Sequence, residues 1–117
     1  MRPRGVTTDN VIARFRRAAI EKGSEGGPRD HELFDELKRA YWDLVSEGSE
    51  GRSAFRALLA DDSAEVRLWV GAQVLALGDT SVLPILEELG EAPGLLGFSA
   101  QMTLREHRAR RLRPPFG

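Results

Sequence analysis

Apolar residues recur at spacings of three and four along almost the whole of this 117-residue chain, which is the period of an α-helix. No segment of four to eight residues combines strict alternation with β-branched enrichment and flanking turn residues, as a strand would. The sequence therefore predicts an all-α fold. Stretches rich in glycine, proline, serine and aspartate divide the pattern into six helices. We predict one domain over residues 9–112, between an N-terminal tail of residues 1–8 and a C-terminal tail of residues 113–117.

The six predicted helices are separated by short links. Their approximate bounds are 9–22, 30–47, 54–61, 64–77, 82–89 and 95–112. Thr8 or Asp9 is expected to cap the first helix, and Asp30 the second, because these side chains accept hydrogen bonds from unpaired helix N–H groups. Gly48 and Gly51 bracket the break that precedes the third helix.

The fourth helix is predicted to be the most buried one. Asp62 or Ser63 can cap it, and Glu65 in its first turn interacts favourably with the positive end of the helix dipole. Apolar residues, Trp69 among them, then cover the helix nearly all round, as expected of a helix with neighbours on several sides. Pro84 is compatible with the fifth helix because it lies in the first turn, where the amides lack intrahelical acceptors.

Composition excludes several classes of protein. The chain has no cysteine, so disulfides, thiolate nucleophiles and cysteine-based zinc sites are ruled out. No apolar run approaches the ~20 residues that span a bilayer, and residues 1–5 are not followed by the apolar core of a signal peptide. We therefore expect a cytoplasmic protein that does not associate with membranes.

Charge is distributed unevenly, although the net charge is only −1. Residues 1–22 carry six basic and two acidic side chains, and residues 105–117 carry five basic and one acidic. Residues 23–66 carry five basic and eleven acidic side chains. Basic ends thus flank an acidic middle, a pattern that steers a charged partner or merely solubilises the ends.

A run in the second half of the chain is typical of one repeat family. It reads Leu58-Leu59-Ala60-Asp61-Asp62-Ser63-Ala64-Glu65-Val66-Arg67, followed by Leu77-Gly78-Asp79 and Val82-Leu83-Pro84-Ile85-Leu86. This run resembles a HEAT-type repeat, and the whole chain resembles short bacterial HEAT-like domains of unknown function. The resemblance covers residues 54–108 and implies a right-handed α-α superhelix of about three antiparallel helix pairs. Such a curved stack implies a concave face that binds a partner, most often another protein.

The resemblance also implies a structural ion pair. In the HEAT family the aspartate of the turn and the arginine of the second helix join neighbouring units, which would make Asp62 and Arg67 ladder residues. The sequence is consistent with this role. Arg67 is the only charged residue in its helix after the first turn, so its side chain requires an acidic partner or contact with water. Asp61, Asp62 and Asp79 are the candidate partners.

Motifs for catalysis are missing from the sequence. Neither a Gly-x-Ser-x-Gly nucleophile elbow nor a Gly-x-x-x-x-Gly-Lys phosphate loop occurs. His31 and Asp35 faintly resemble the His-Glu-x-x-His zinc motif, but Asp35 replaces the second histidine, so helix-cap polarity is favoured over metal binding. We therefore predict no enzymatic activity, no cofactor and no metal.

Trp42 is the leading candidate for a binding residue. At 100° per residue it lies about 130° from the centre of the apolar stripe of the second helix. Asp35, Lys38, Arg39 and Asp43 complete the predicted partner-binding set, an aromatic anchor in a polar surround that is typical of interface hot spots. The alternative is that the next helix pair covers Trp42.

The function predicted first is a non-enzymatic protein-protein interaction module. Its sharpest version is an immunity- or antitoxin-like inhibitor whose acidic surface masks a basic toxin or nuclease. The alternative is nucleic-acid binding through arginines near both ends of the chain, which would contact phosphates together if the ends converge. A stack of three helix pairs in order keeps the ends apart, and the acidic middle repels a polyanion, so nucleic acid ranks second. The arginines in question are Arg14, Arg16, Arg17, Arg105, Arg108, Arg110, Arg111 and Arg113.

Overall fold

The computed structural model describes residues 4–23 and 27–117, with the backbone alone for residues 4–7. Within these residues the chain forms six α-helices, two short 3-10 helices and no strand, which confirms the all-α prediction. The α-helices are α1 (Arg4–Lys22), α2 (Asp30–Ser46), α3 (Ser49–Ala57), α4 (Ala64–Ala76), α5 (Leu83–Leu89) and α6 (Gly94–Arg108). The 3-10 helices cover Leu58–Ala60 and Thr80–Val82.

Helix α1 begins earlier than predicted. Residues 4–8, expected in the N-terminal tail, belong to α1, while residues 1–3 of that tail lie outside the described residues. Thr8 is buried, and its hydroxyl donates to Oε2 of Glu47 at 2.6 Å instead of capping the helix. Asp30 is the first residue of α2 rather than its N-cap, which is Arg29, and its carboxylate accepts a hydrogen bond from the Lys22 ammonium of α1. Side chains expected to cap helices thus join α1 to α2.

Helix α4 lies between two hydrophobic clusters. Ser63 caps it as predicted, with its Oγ accepting from the Val66 N–H at 3.4 Å. Val66 and Val70 pack into a first cluster with residues of α1, α2 and α3. Leu68 and Leu75 pack into a second cluster with residues of α5 and α6. Helix α4 therefore joins the two halves of the core and is the most buried described helix, as predicted.

Gly51 lies inside α3 rather than in the predicted break. Helix α3 begins directly after Gly48, whose φ of 77° requires the left-handed conformation that glycine adopts easily. A Cβ atom placed on Gly51 would lie only 1.8 Å from the carbonyl oxygen of Leu44 in α2. The glycine therefore allows α3 to cross α2 at close range. The same arrangement recurs at Gly97 of α6, where a Cβ would lie 1.8 Å from the carbonyl oxygen of Ala92.

Helix α6 ends at Arg108, four residues before its predicted end. The N–H of Arg110 donates to the carbonyl oxygen of His107 at 3.0 Å, and that of Arg111 to Glu106 at 2.9 Å. Arg110 itself has a φ of 59°, so this end is a Schellman motif with arginine where glycine is usual. The motif turns the chain away from the α6 axis.

Residues 113–117, predicted as a tail, bring Phe116 back into the first cluster. The Phe116 side chain is fully buried. Its ring centroid lies 5.9 Å from that of Phe15 in α1, 5.4 Å from Tyr41 in α2 and 5.7 Å from Trp69 in α4. The helix order was expected to keep the ends of the chain apart, but the C-terminal residues return to α1. Burying one phenylalanine against α1 and α2 contributes about 1.5–3 kcal/mol.

Candidate partner-binding site

The outward side of α2 carries four of the five residues predicted to bind a partner. Asp35, Lys38, Arg39 and Trp42 are all exposed, and spacings of three and four residues align them along one continuous helix. We call this set the Trp42 face. Asp43, the fifth predicted residue, is half-buried beside the face, and its Oδ2 accepts a hydrogen bond from Nη1 of Arg14 at 2.9 Å.

The Trp42 indole is held on one side and open on the other. Its side chain remains 45% exposed, so the alternative that a helix pair covers it is wrong. The indole Nε1 donates to the carbonyl oxygen of Phe116 at 2.7 Å, and the Tyr41 ring meets the indole edge-on at 5.2 Å between centroids. The hydrogen bond and the ring contact restrict the indole to one orientation, while nearly half of its surface stays available to a partner.

Phe116 can hold Trp42 because its own backbone is fixed in the core. The Phe116 N–H donates to Oε1 of Gln73 at 2.9 Å, and Gln73 is fully buried in α4. Nε2 of Gln73 is buried and has no hydrogen-bond partner among the described residues. An unsatisfied buried donor costs about 1–3 kcal/mol, so burial of the Phe116 ring must outweigh that cost. Helix α4 thereby sets the position of Trp42 through the chain end.

A shallow groove between α1 and α2 adjoins the Trp42 face. Arg14 and Arg17 of α1 line it together with Glu36 and Arg39 of α2. Arg14 pairs with Asp43, whereas Arg17 and Arg39 form no ion pair within the described part of the chain. The rim of the Trp42 face therefore presents two free guanidinium groups, and its charge is mixed rather than acidic.

Several acidic side chains of residues 23–66 form ion pairs within the chain. Arg29 alone approaches Glu21, Glu32 and Glu36, at 3.2 Å from Glu32 and 3.9 Å from Glu36. Further ion pairs of this segment join Lys22 to Asp30, Arg14 to Asp43, Arg16 to Asp61 and Arg56 to Asp79, and His31 lies near Asp35. The segment is therefore less available to a basic partner than its composition indicates.

The expected ladder between Asp62 and Arg67 is not formed. Asp62 is exposed, and no ion pair joins it to Arg67 in the described residues. Nε of Arg67 is buried and lacks a hydrogen-bond partner there. Asp61 instead accepts from Nε of Arg16 at 2.7 Å, and this hydrogen bond lowers the pKa of Asp61. Arg16 of α1 therefore pairs with Asp61, one of the three candidate partners of Arg67.

His31 and Asp35, the two residues of the zinc-like motif, lie on the surface of α2. His31 is exposed, and its Nε2 lies 3.7 Å from Oδ2 of Asp35 with no second histidine nearby in sequence. No group of three or more histidine, aspartate or glutamate side chains able to hold a metal occurs among the described residues. In the same part of the chain no helix is long and apolar enough to cross a membrane.

Comparison of the chain with protein-family profiles, with curated proteins and with solved structures found no match in any of the three.

Sequence reasoning identified Trp42 but missed Phe116, which holds it. Phe116 follows Pro114 and Pro115, where no helical period continues and no neighbouring apolar residue marks a buried segment. The single usable signal was a large aromatic residue in an otherwise basic and proline-rich stretch, since a solvated tail has no need of one.

Proposed function

We propose that the protein is a non-enzymatic binding module that engages another protein through the Trp42 face. The observation that carries the proposal is the half-exposed indole of Trp42, whose Nε1 donates to the buried chain end at 2.7 Å. Tryptophan at the centre of a polar rim is a frequent hot-spot residue. Restricting the indole before binding reduces the entropy lost when the partner docks.

The rim charges indicate what kind of surface the partner offers. Arg17, Lys38 and Arg39 supply positive charge, while Asp35 supplies negative charge on the same face. A matching partner has an apolar recess for the indole, with carboxylates opposite the guanidinium groups and a basic residue opposite Asp35. Electrostatic matching of this kind sets specificity and association rate more than affinity.

The finer version of the proposal is an immunity- or antitoxin-like inhibitor in a cytoplasmic setting, built as a HEAT-like superhelix. A small all-α chain with α4 between two hydrophobic clusters is compatible with such a stack. In this version the Trp42 face occludes a toxin or nuclease surface. Its partner is then mixed in charge at the contact, since both acidic and basic side chains lie on and beside the Trp42 face.

We expect Trp42→Ala to weaken capture of the partner by about 30-fold, because truncating a hot-spot residue costs 2 kcal/mol or more. The measurement is quantitative affinity capture from native lysate followed by titration of the purified partner. Leu77→Ala is the matched control, since it removes a large apolar side chain that is 59% exposed at the end of α4 and leaves the Trp42 face intact. Equal loss in both variants, or no loss in Trp42→Ala, contradicts the proposal.

Nucleic-acid binding is retained as a second candidate on one specific observation. The chain end returns to α1 and α2, and Arg17 and Arg39 face the groove between these helices without ion pairs. The return of the C-terminal residues to α1 weakens the objection that the helix order keeps the ends apart, although acidic Glu36 shares the groove. Titration of labelled DNA and RNA over a salt series decides the matter. Affinity with a steep salt slope that is abolished by Arg17→Glu and Arg39→Glu would replace the protein-binding proposal.

A further inference from the structure

A second exposed apolar surface lies on α6, away from the Trp42 face. Leu95 is 46% exposed and Phe98 is 57% exposed, and Met102 is half-buried beside them. At 100° per residue the three side chains fall within about 60° of one another. Ala100 and Leu104 of the same helix pack into the second cluster, so the stripe lies on the opposite side of α6 from that cluster.

The stripe borders a groove whose two walls carry opposite charge. Glu87 of α5 and Glu91 of the following turn line the groove on one side, with Gly90 between them. Arg105 and Arg108 of α6 line it on the other side, and Phe98 and Met102 lie within it. We call Glu87 and Glu91 the acidic wall, and Arg105 and Arg108 the basic wall.

The opposite charges of the two walls do not neutralise each other. None of the four residues forms an ion pair within the described part of the chain. The turn after α5 is joined to α6, because Nε2 of Gln101 donates to the carbonyl oxygen of Gly90 at 2.7 Å. Gly97 allows the close approach of α6 to the turn after α5. The groove therefore has exposed acidic and basic side chains along the line where the turn after α5 meets α6.

We propose that the α6 surface is an isologous interface to which a second copy of this chain binds. In a two-fold dimer each patch faces its own counterpart, so a stable interface must be complementary to itself. A two-fold axis that runs along the groove, between the two walls, places the acidic wall of one copy against the basic wall of the other. The same axis brings the Leu95, Phe98 and Met102 stripes together, which removes apolar surface from water.

Charge reversal distinguishes binding of a second copy of this chain from binding of a different protein. Reversing the acidic wall with Glu87→Arg and Glu91→Arg makes both walls positive, and reversing the basic wall with Arg105→Glu and Arg108→Glu makes both walls negative. We expect each variant alone to be monomeric and an equal mixture of the two to form heterodimers. The wild-type chain is expected to dimerise as its concentration rises, to twice the chain mass of 13.0 kDa.

The measurement is sedimentation velocity over a concentration series, with circular dichroism to verify the fold of each variant. Phe98→Glu is expected to weaken the wild-type dimer at least tenfold, because it places a charge in the apolar centre. Ile20→Glu is the matched control, since it adds the same charge at an exposed apolar residue of α1 and is expected to leave the dimer unchanged. A wild-type chain that stays monomeric throughout overturns the proposal, as does a mixture of folded charge-reversed variants that stays monomeric. Because the Trp42 face is untouched, failure here leaves the proposed function intact.

Discussion

Phe116→Ala is expected to lower the free energy of unfolding by about 3–5 kcal/mol, the usual cost of truncating a buried phenylalanine. The ring is fully buried, and its centroid lies within 6.0 Å of those of Phe15, Phe34, Tyr41 and Trp69. Removing it leaves a cavity among aromatic rings that belong to three helices. Since a domain of this size is stable by about 5–15 kcal/mol, the variant is expected to lose a large part of its stability.

Urea denaturation followed by far-UV circular dichroism measures this loss. Leu77→Ala is the control, because it truncates a large apolar side chain that is 59% exposed and lies outside both proposed binding surfaces, and we expect a change within about 0.5 kcal/mol. If Phe116→Ala costs less than about 1 kcal/mol, the chain end does not form part of the core.

Gly51→Ala is expected to cost at least about 3 kcal/mol, at or above the upper end of the range for overpacked sites. The new Cβ would lie 1.8 Å from the carbonyl oxygen and 2.7 Å from the carbonyl carbon of Leu44. Both atoms belong to the α2 backbone, which cannot rotate away as a side chain can. Helices α2 and α3 must therefore separate, and separation disturbs the packing of Leu44 and Phe55 in the first cluster.

Gly27→Ala is the matched control for Gly51→Ala. A Cβ on Gly27 meets nothing within 4 Å, and the residue does not require a positive φ. Its replacement is expected to change stability by no more than about 0.5 kcal/mol. Equal effects of the two substitutions in thermal and urea denaturation would show that the crossing of α2 and α3 is not closely packed at Gly51.

Local rules predicted the helices well, because helix formation follows from periodicity and caps within a few residues. Ser63 caps α4, and Pro84 is tolerated in the first turn of α5, both as expected from neighbouring residues. The rules placed Gly51 in a turn because glycine favours turns. These rules consider only residues that are close in sequence. They therefore leave out the α2 backbone, whose proximity makes glycine necessary at this position within α3.

Polar partners were harder to predict than helices, since several candidates satisfy the same local rule. Arg67 had three candidate aspartates in sequence, but Arg16 binds Asp61 and Arg56 binds Asp79 at 2.9 Å. The pairing of arginines with carboxylates depends on how the helices pack. The distances between these side chains cannot be obtained from the sequence alone. The Trp42 face was predictable because it lies on a single helix, whereas its support by Phe116 required the tertiary structure.

Site-directed photo-crosslinking at position 39 tests the central claim most directly, namely that the Trp42 face binds a protein partner. A photoreactive phenylalanine derivative replaces Arg39, and the same derivative replaces exposed Ser53 of α3 in a parallel sample. Irradiation in native cells is expected to give one discrete protein adduct from position 39 and none from position 53. Adding Trp42→Ala is expected to abolish that adduct. The same adducts from both positions, an adduct that survives Trp42→Ala, or a crosslink to nucleic acid would contradict the account.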